Sequence, residues 1–134
     1  MTMIPKIPRT ITIVSFGFGH PGGVPDATLV VDLRTHFRDP HVSPALRVMT
    51  ARDTQVRAAV VSTPGICPLV TGLVAAVGAY LEAPAGTDIT VVIGCTGGRH
   101  RAPTVALMLA RRIERNGHPV KLVHRDMDKA VIAR

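Results

Sequence analysis

The sequence has no tryptophan and only four aromatic residues, Phe16, Phe18, Phe37 and Tyr80. Its core must therefore be built from Val, Ile, Leu and Ala, and platforms for stacking nucleic-acid bases are scarce. Two cysteines, Cys67 and Cys95, are too few for a disulfide framework, so a reducing cytoplasm is the expected compartment. The longest apolar stretch, Leu69–Leu81, is about a dozen residues where a bilayer span needs about 20. No membrane partner is expected. Met1–Arg9 holds two prolines and no signal-peptide hydrophobic region. The six histidines lack His-Glu-x-x-His or Cys-x-x-Cys company, which leaves no expected metal site. The glycine-rich segment Gly94–Arg101 is neither a Walker A loop nor a Gly-x-Gly-x-x-Gly fingerprint with an acidic ribose ligand, and no cofactor is expected.

Acidic residues are also few, nine against sixteen Lys/Arg, for a net charge of +7. The excess is uneven. Residues 1–98 carry seven Lys/Arg against six Asp/Glu, whereas residues 99–134 carry nine against three. Arg99, Arg111, Arg112, Arg115, Lys121, Arg125, Lys129 and Arg134 belong to this late group. Two readings fit: a solvated basic helix face, or a surface that binds a polyanion such as structured RNA.

What is abundant is β-branched and aliphatic residues in short runs. Thr10–Ser15, Thr28–Leu33, Asp88–Ile93 and Val120–His124 read as strands; the third alternates little, as a strand buried on both faces does. Ile66–Glu82 reads as a helix, with a shorter one near Asp53–Val61. Ala102–Asn116 is the clearest helix, with Pro103 in its first turn, Val105, Leu109 and Ile113 on one face, and Gly117 as its stop. A short closing helix is expected over Asp126–Ala133. Gly17–Ala27 and His36–Thr50 read as loops. Strands separated by helices imply an α/β fold, a mostly parallel sheet of about four strands with helices on both faces. No linker or repeat interrupts it, so residues 1–134 are expected to form a single domain. Ile66–Leu81 is apolar enough for a self-association interface, although core burial is its simpler use.

The third strand runs into Gly94-Cys95-Thr96-Gly97-Gly98-Arg99-His100-Arg101 and then a helix. Backbone N–H groups converge at such a junction, and the helix N-terminus adds roughly half a positive charge. Gly97 and Gly98 permit a tight turn and close approach of a ligand. Arg99 and Arg101 carry planar donor pairs suited to phosphate or carboxylate. The segment is therefore expected to bind an anion. Cys95 and Arg101 also have the Cys-x5-Arg spacing of the tyrosine-phosphatase loop. In that chemistry a thiolate attacks phosphorus, the arginine clamps the equatorial oxygens, and Asp39 or Asp126 would be the general acid. Gly94 replaces the histidine usual before that cysteine, and Ala102 replaces the usual hydroxyl residue. A non-catalytic cysteine lining an anion pocket is the other reading.

Several short motifs occur in one order: Ser15-Phe16-Gly17-Phe18, Asp26, Val31-Asp32-Leu33-Arg34, Pro40-His41, and Leu46-Arg47-x-Met49-Thr50 with Asp53. They are followed by Ile93-Gly94-Cys95-Thr96-Gly97-Gly98-x-His100-Arg101 and His124-Arg125-Asp126. From about residue 10 to residue 129 the chain resembles the C-terminal domain of the RapZ/YvcJ (RNase adapter) family. The resemblance implies an RNA-binding domain with a phosphosugar site, one that senses glucosamine-6-phosphate and self-associates as a homo-oligomer. The matching positions imply a pocket of Asp32, Arg34, Cys95, Thr96, Gly97, Gly98, His100 and Arg101, with Arg47 at its rim. Asp32 would accept sugar hydroxyls or an amine, and it could equally form a structural ion pair with Arg34. The family's N-terminal kinase-like domain has no counterpart in these residues, so ATP or GTP hydrolysis is not expected of them. Ala102 stands where the family usually has Ser, and the basic C-terminal end is thin.

Overall fold

A computed structural model describes residues 9–133. Strands β1 (Ile11–Gly17), β2 (Leu29–Asp32), β3 (Ile89–Cys95) and β4 (Val120–His124) form an all-parallel sheet in the order β2-β3-β1-β4. A short 3-10 turn, Pro40–Val42, and helices α1 (Pro44–Arg47), α2 (Thr54–Val61) and α3 (Ile66–Glu82) link β2 to β3. Helix α4 (Arg101–Arg115) links β3 to β4. The β-branched runs form the strands as expected. β1 and β3 each extend further, pairing Phe16 with Gly94 and Gly17 with Cys95, so the glycine segment starts inside the sheet. Pro103 lies in the first turn of α4, and Gly117, at φ 93°, follows its last turn and donates to the Glu114 carbonyl at 2.9 Å.

Helices were expected on both faces; the described ones share one. The β2-to-β3 and β3-to-β4 crossovers move across the sheet in the same direction, and a common right hand places both on the same side. One apolar cluster accordingly joins Ile11, Ile13, Ile89, Val91 and Ile93 to Ile66, Val70, Leu73 and Val77 of α3 and to Val105, Leu109 and Ile113 of α4. That is the core use of Ile66–Leu81. The β1-to-β2 connection runs the opposite way without a helix, and Val30 is 54% exposed on that second face. Phe16 and Phe18 meet there edge to face at 4.7 Å, in space that the missing side chain of Gly94 leaves free.

Two further expectations are corrected. Residues 126–133 form no helix; the Lys129 amide closes a turn onto the Asp126 carbonyl at 3.1 Å, and an extended tail follows. The stretch His36–Thr50, read as loop, contains the 3-10 turn and α1.

The glycines separate by what surrounds them. Gly98 has φ 70°, and a Cβ there would lie 2.7 Å from the Gly17 nitrogen. Gly72, on the exposed side of α3, has nothing within 4 Å. In urea unfolding, Gly98→Ala is expected to lose about 2 kcal/mol or more, while Gly72→Ala gains about 0.5–1 kcal/mol from helix propensity. Equal midpoints for the two variants would contradict this packing.

Candidate anion site at the carboxyl end of the sheet

The end of β1 and the turn after β3 are in backbone contact. A Cβ on Gly17 would fall 2.6 Å from the Gly97 carbonyl carbon and one on Gly98 2.7 Å from the Gly17 nitrogen, so glycine is needed at both positions. The Cys95 and Thr96 carbonyls accept from the Phe18 and Gly19 amides at 2.9 and 3.0 Å. A trans peptide points its N–H opposite its carbonyl, so the Thr96 and Gly97 amides are turned away from β1. Among the described residues no acceptor meets the amides of Thr96, Gly97, Gly98, Arg99 or His100. Cys95 is buried beneath this turn, its Sγ accepting from the Ala102 amide at 3.4 Å.

Arg101 was expected to offer its donors to a ligand. Instead the side chain is 2% exposed, and Nη1 donates to the carbonyls of Leu33, Arg34 and Phe37 at 3.0–3.1 Å. Nη2 pairs with the Asp39 carboxylate at 3.2 Å. Asp39 also accepts from the His41 amide at 2.9 Å and so caps the 3-10 turn. Arg99 is likewise turned inward, donating to the carbonyls of Val48, Met49 and Lys129. His100 is buried, which pushes its pKa down, and Nε2 lies 2.9 Å from the Met49 carbonyl. A Cys-x5-Arg phosphatase needs its arginine on the phosphoryl oxygens. With Arg101 committed to three carbonyls and Asp39, neither clamp nor acid is arranged for that chemistry.

Two spaces adjoin the turn. A small cavity of about 10 Å³, lined by Cys95, Gly97, His100, Arg101, Asp39 and His41 and bordered by Val131 and Ile132, is the size of one water. Next to it an open hollow of about 480 Å³ is bounded by His41, Val42, Arg47 and the same tail residues. Arg47 donates through Nε to the His41 carbonyl at 2.9 Å, which orients its guanidinium along the hollow's wall. Ile132 is seated against Gly19, where an added Cβ would lie 2.6 Å from its Cδ1. Nothing in the local sequence signalled that Val131 and Ile132 cover the site.

Asp32 and Arg34 take the ion-pair arrangement, with Arg34 Nη2 2.8 Å from the Asp32 carboxylate and its guanidinium carbon 3.6 Å from the centre of the Phe18 ring. The Arg34 hydrogen bonds hold the Asp32 pKa down. Asp126 is no general acid. Its fully buried carboxylate accepts from the Gly17 amide at 2.7 Å, Arg125 at 2.9 Å and Lys129 at 2.6 Å. Burial pushes its pKa up, but these donors outweigh it and hold the carboxyl at about 2. The sequence reading also missed a half-buried pair on the same strand ends, Ser15 Oγ 2.6 Å from His124 Nδ1. The candidate polyanion-binding cations are not together. Arg99, Arg125 and Lys129 serve internal contacts around the turn. Arg111, Arg112 and Arg115 occupy the far end of α4, and Lys121 lies exposed on the edge strand β4.

A carboxylate held at about 2, against 3.8 for its ordinary value, binds fewer protons folded than unfolded. The stability it contributes is whole above that ordinary value and is lost as pH falls through 2. Between pH 5 and 2 the wild type should lose about 2 kcal/mol more than Asp126→Asn does. Parallel stability–pH curves would contradict the arrangement.

A family model, that of the RapZ C-terminal domain, matches residues 9–128. The chain is 40% identical over 122 residues to a nucleotide-binding protein of Parafrankia sp., a match covering 88% of this chain and 41% of that protein. A nucleotide-binding protein of Rubrobacter xylanophilus is 40% identical over 126 residues, covering 89% and 41%. One of Limosilactobacillus fermentum is 37% identical over 125 residues, covering 90% and 42%. The chain thus spans about two fifths of the length of these relatives. With the match running from the start of β1 through the Asp126 turn, the chain belongs to the RapZ C-terminal domain family.

Proposed function

We propose that this chain is a non-enzymatic domain that binds a phosphate-bearing small molecule, of which a phosphosugar is the best fit, at the turn after β3. The observation that carries the reading is the row of amides from Thr96 to His100 without a described acceptor, beside a helix N-terminus. The phosphate would occupy the small cavity, widened as Val131 and Ile132 move aside, and the sugar would lie in the adjoining hollow beside His41 and Arg47. Arg101 and Asp39 hold the walls in this scheme. Asp32 and Arg34 brace the end of β2, and Arg34 lends its carbonyl to Arg101. The name shared by the relatives, nucleotide-binding protein, agrees with a phosphate-bearing occupant. Calorimetry with glucosamine-6-phosphate is expected to give saturable heat. Arg47→Ala should weaken it roughly ten- to hundredfold, as for loss of a charge-assisted hydrogen bond, and Ile132→Gly should strengthen it. Absence of heat in both the wild type and Ile132→Gly would end the proposal.

The reading of structured RNA as a second partner is favoured by four cations. Arg111, Arg112, Arg115 and Lys121 have no carboxylate partner among the described residues. With few aromatic residues, such binding would rest on phosphate contacts and shape. Titration of an RNA hairpin should then give a slope of about −3 for log affinity against log salt. A flat response would remove RNA from the proposal.

A further inference from the structure

A groove that the anion turn does not use lies between α4 and helices α2 and α3. Thr104, Leu107, Met108, Arg111, Arg112 and Arg115 follow one another at helical spacing and line a half-open groove of about 290 Å³. The facing wall comes from α2 and α3, with Val61 and Val70 as its apolar part, Arg57 at its rim and the exposed thiol of Cys67 beside it. The volume is at the small end of ligand pockets, roughly 300–1,000 Å³.

Its composition is one-sided. Among the described residues the floor is aliphatic and sulfur-bearing, with no aromatic ring to stack on a base. Val61 is 40% exposed there. The buried Thr104 hydroxyl has no hydrogen-bond partner among the described residues. Among the described residues four guanidinium groups lie along the groove and no carboxylate lines it. Arg57 is anchored to the Ala51 and Arg52 carbonyls at 2.8 and 2.6 Å, which fixes its charge in place. Arg111, Arg112 and Arg115 have no ion-pair partner among the described residues. Like charges gathered beside a low-dielectric wall form a field that an anion relieves, and the guanidinium fork suits phosphate or carboxylate. A bare phosphate would satisfy the arginines and leave the apolar floor wet. An uncharged chain would do the reverse.

We propose that this groove binds an aliphatic anion, its chain on the Val61–Val70–Leu107–Met108 floor and its phosphate or carboxylate head among Arg111, Arg112 and Arg115. The proposal is independent of the turn after β3, and the test separates the two. The probes are decyl phosphate and decanoate, both below their micelle concentrations, with inorganic phosphate and decyl glucoside as head-only and chain-only controls. Calorimetry should show at least one charged chain binding tenfold or more tighter than both controls, and the better of the two identifies the head. Amide NMR shifts should concentrate on Val61, Cys67 and Thr104–Arg115 rather than on Gly94–Arg101. The double variant Arg111→Ala/Arg115→Ala and the groove-filling Leu107→Trp should each weaken binding at least tenfold, and Arg47→Ala should leave it unchanged. The proposal is overturned by affinity that ignores the chain, by shifts centred on the turn, or by an RNA hairpin that engages these arginines when neither chain-bearing probe binds.

Discussion

The buried guanidinium of Arg101 joins three segments that are distant in sequence. It stands at the first residue of α4, yet its hydrogen bonds go to the exit of β2 and the approach to the 3-10 turn, through the carbonyls of Leu33, Arg34 and Phe37 and the carboxylate of Asp39. A charge so enclosed is tolerated only with such partners, and removing one side of the arrangement would leave the other buried and unsatisfied, a loss of about 3–5 kcal/mol. A lysine would not substitute, because its ammonium lacks the planar fork that reaches carbonyls and carboxylate together. Asp126 plays the matching part on the other side of the turn. It fixes the Gly17 amide and draws Arg125 and Lys129 around itself. Between these two buried charges the glycine turn has little freedom, and its amides, without an acceptor among the described residues, are held in place before any ligand arrives.

This arrangement explains why the site looks poor in free cations although its sequence is rich in arginine. Arg99, Arg101 and Arg125 are structural, and their charge still contributes to the local field without offering donors at the surface. Arg47 is placed differently, tethered through Nε with the rest of its guanidinium along an open hollow. A rigid set of amides with a tethered cation beside it fits recognition of a small anion better than covalent chemistry on it. The latter would need the Cys95 thiol and an arginine to reach the same phosphorus.

Much of the fold was legible in the sequence because it rests on local patterns. The β-branched runs marked all four strands, and Pro103, the Val105–Leu109–Ile113 spacing and Gly117 marked α4. The failures share a physical cause, which is dependence on distant partners. Asp126–Ala133 has helix-compatible residues, but the Asp126 carboxylate is bound to Gly17 and Ile132 is drawn onto Gly19. The single helical face follows from strand order, which no local pattern encodes. The position of the glycine turn was legible, and so were the residue types around it. Where the arginine donors point was not, since spacing along the chain says nothing about carbonyls more than sixty residues away.

The late basic excess, read from sequence as one feature, is two. Cations near the N-terminus of α4 are consumed by the architecture of the turn, whereas those near its C-terminus have no carboxylate partner among the described residues. A fifteen-residue helix holds its ends about 20 Å apart, well beyond a screening length of about 8 Å at physiological salt. The two groups therefore act as separate fields, and a ligand of phosphosugar size cannot engage both. Simultaneous occupancy of the turn and the arginine groove would have to couple, if at all, through α4 itself. Arg101 pins the start of that helix, and its Thr104–Arg115 face forms one wall of the groove.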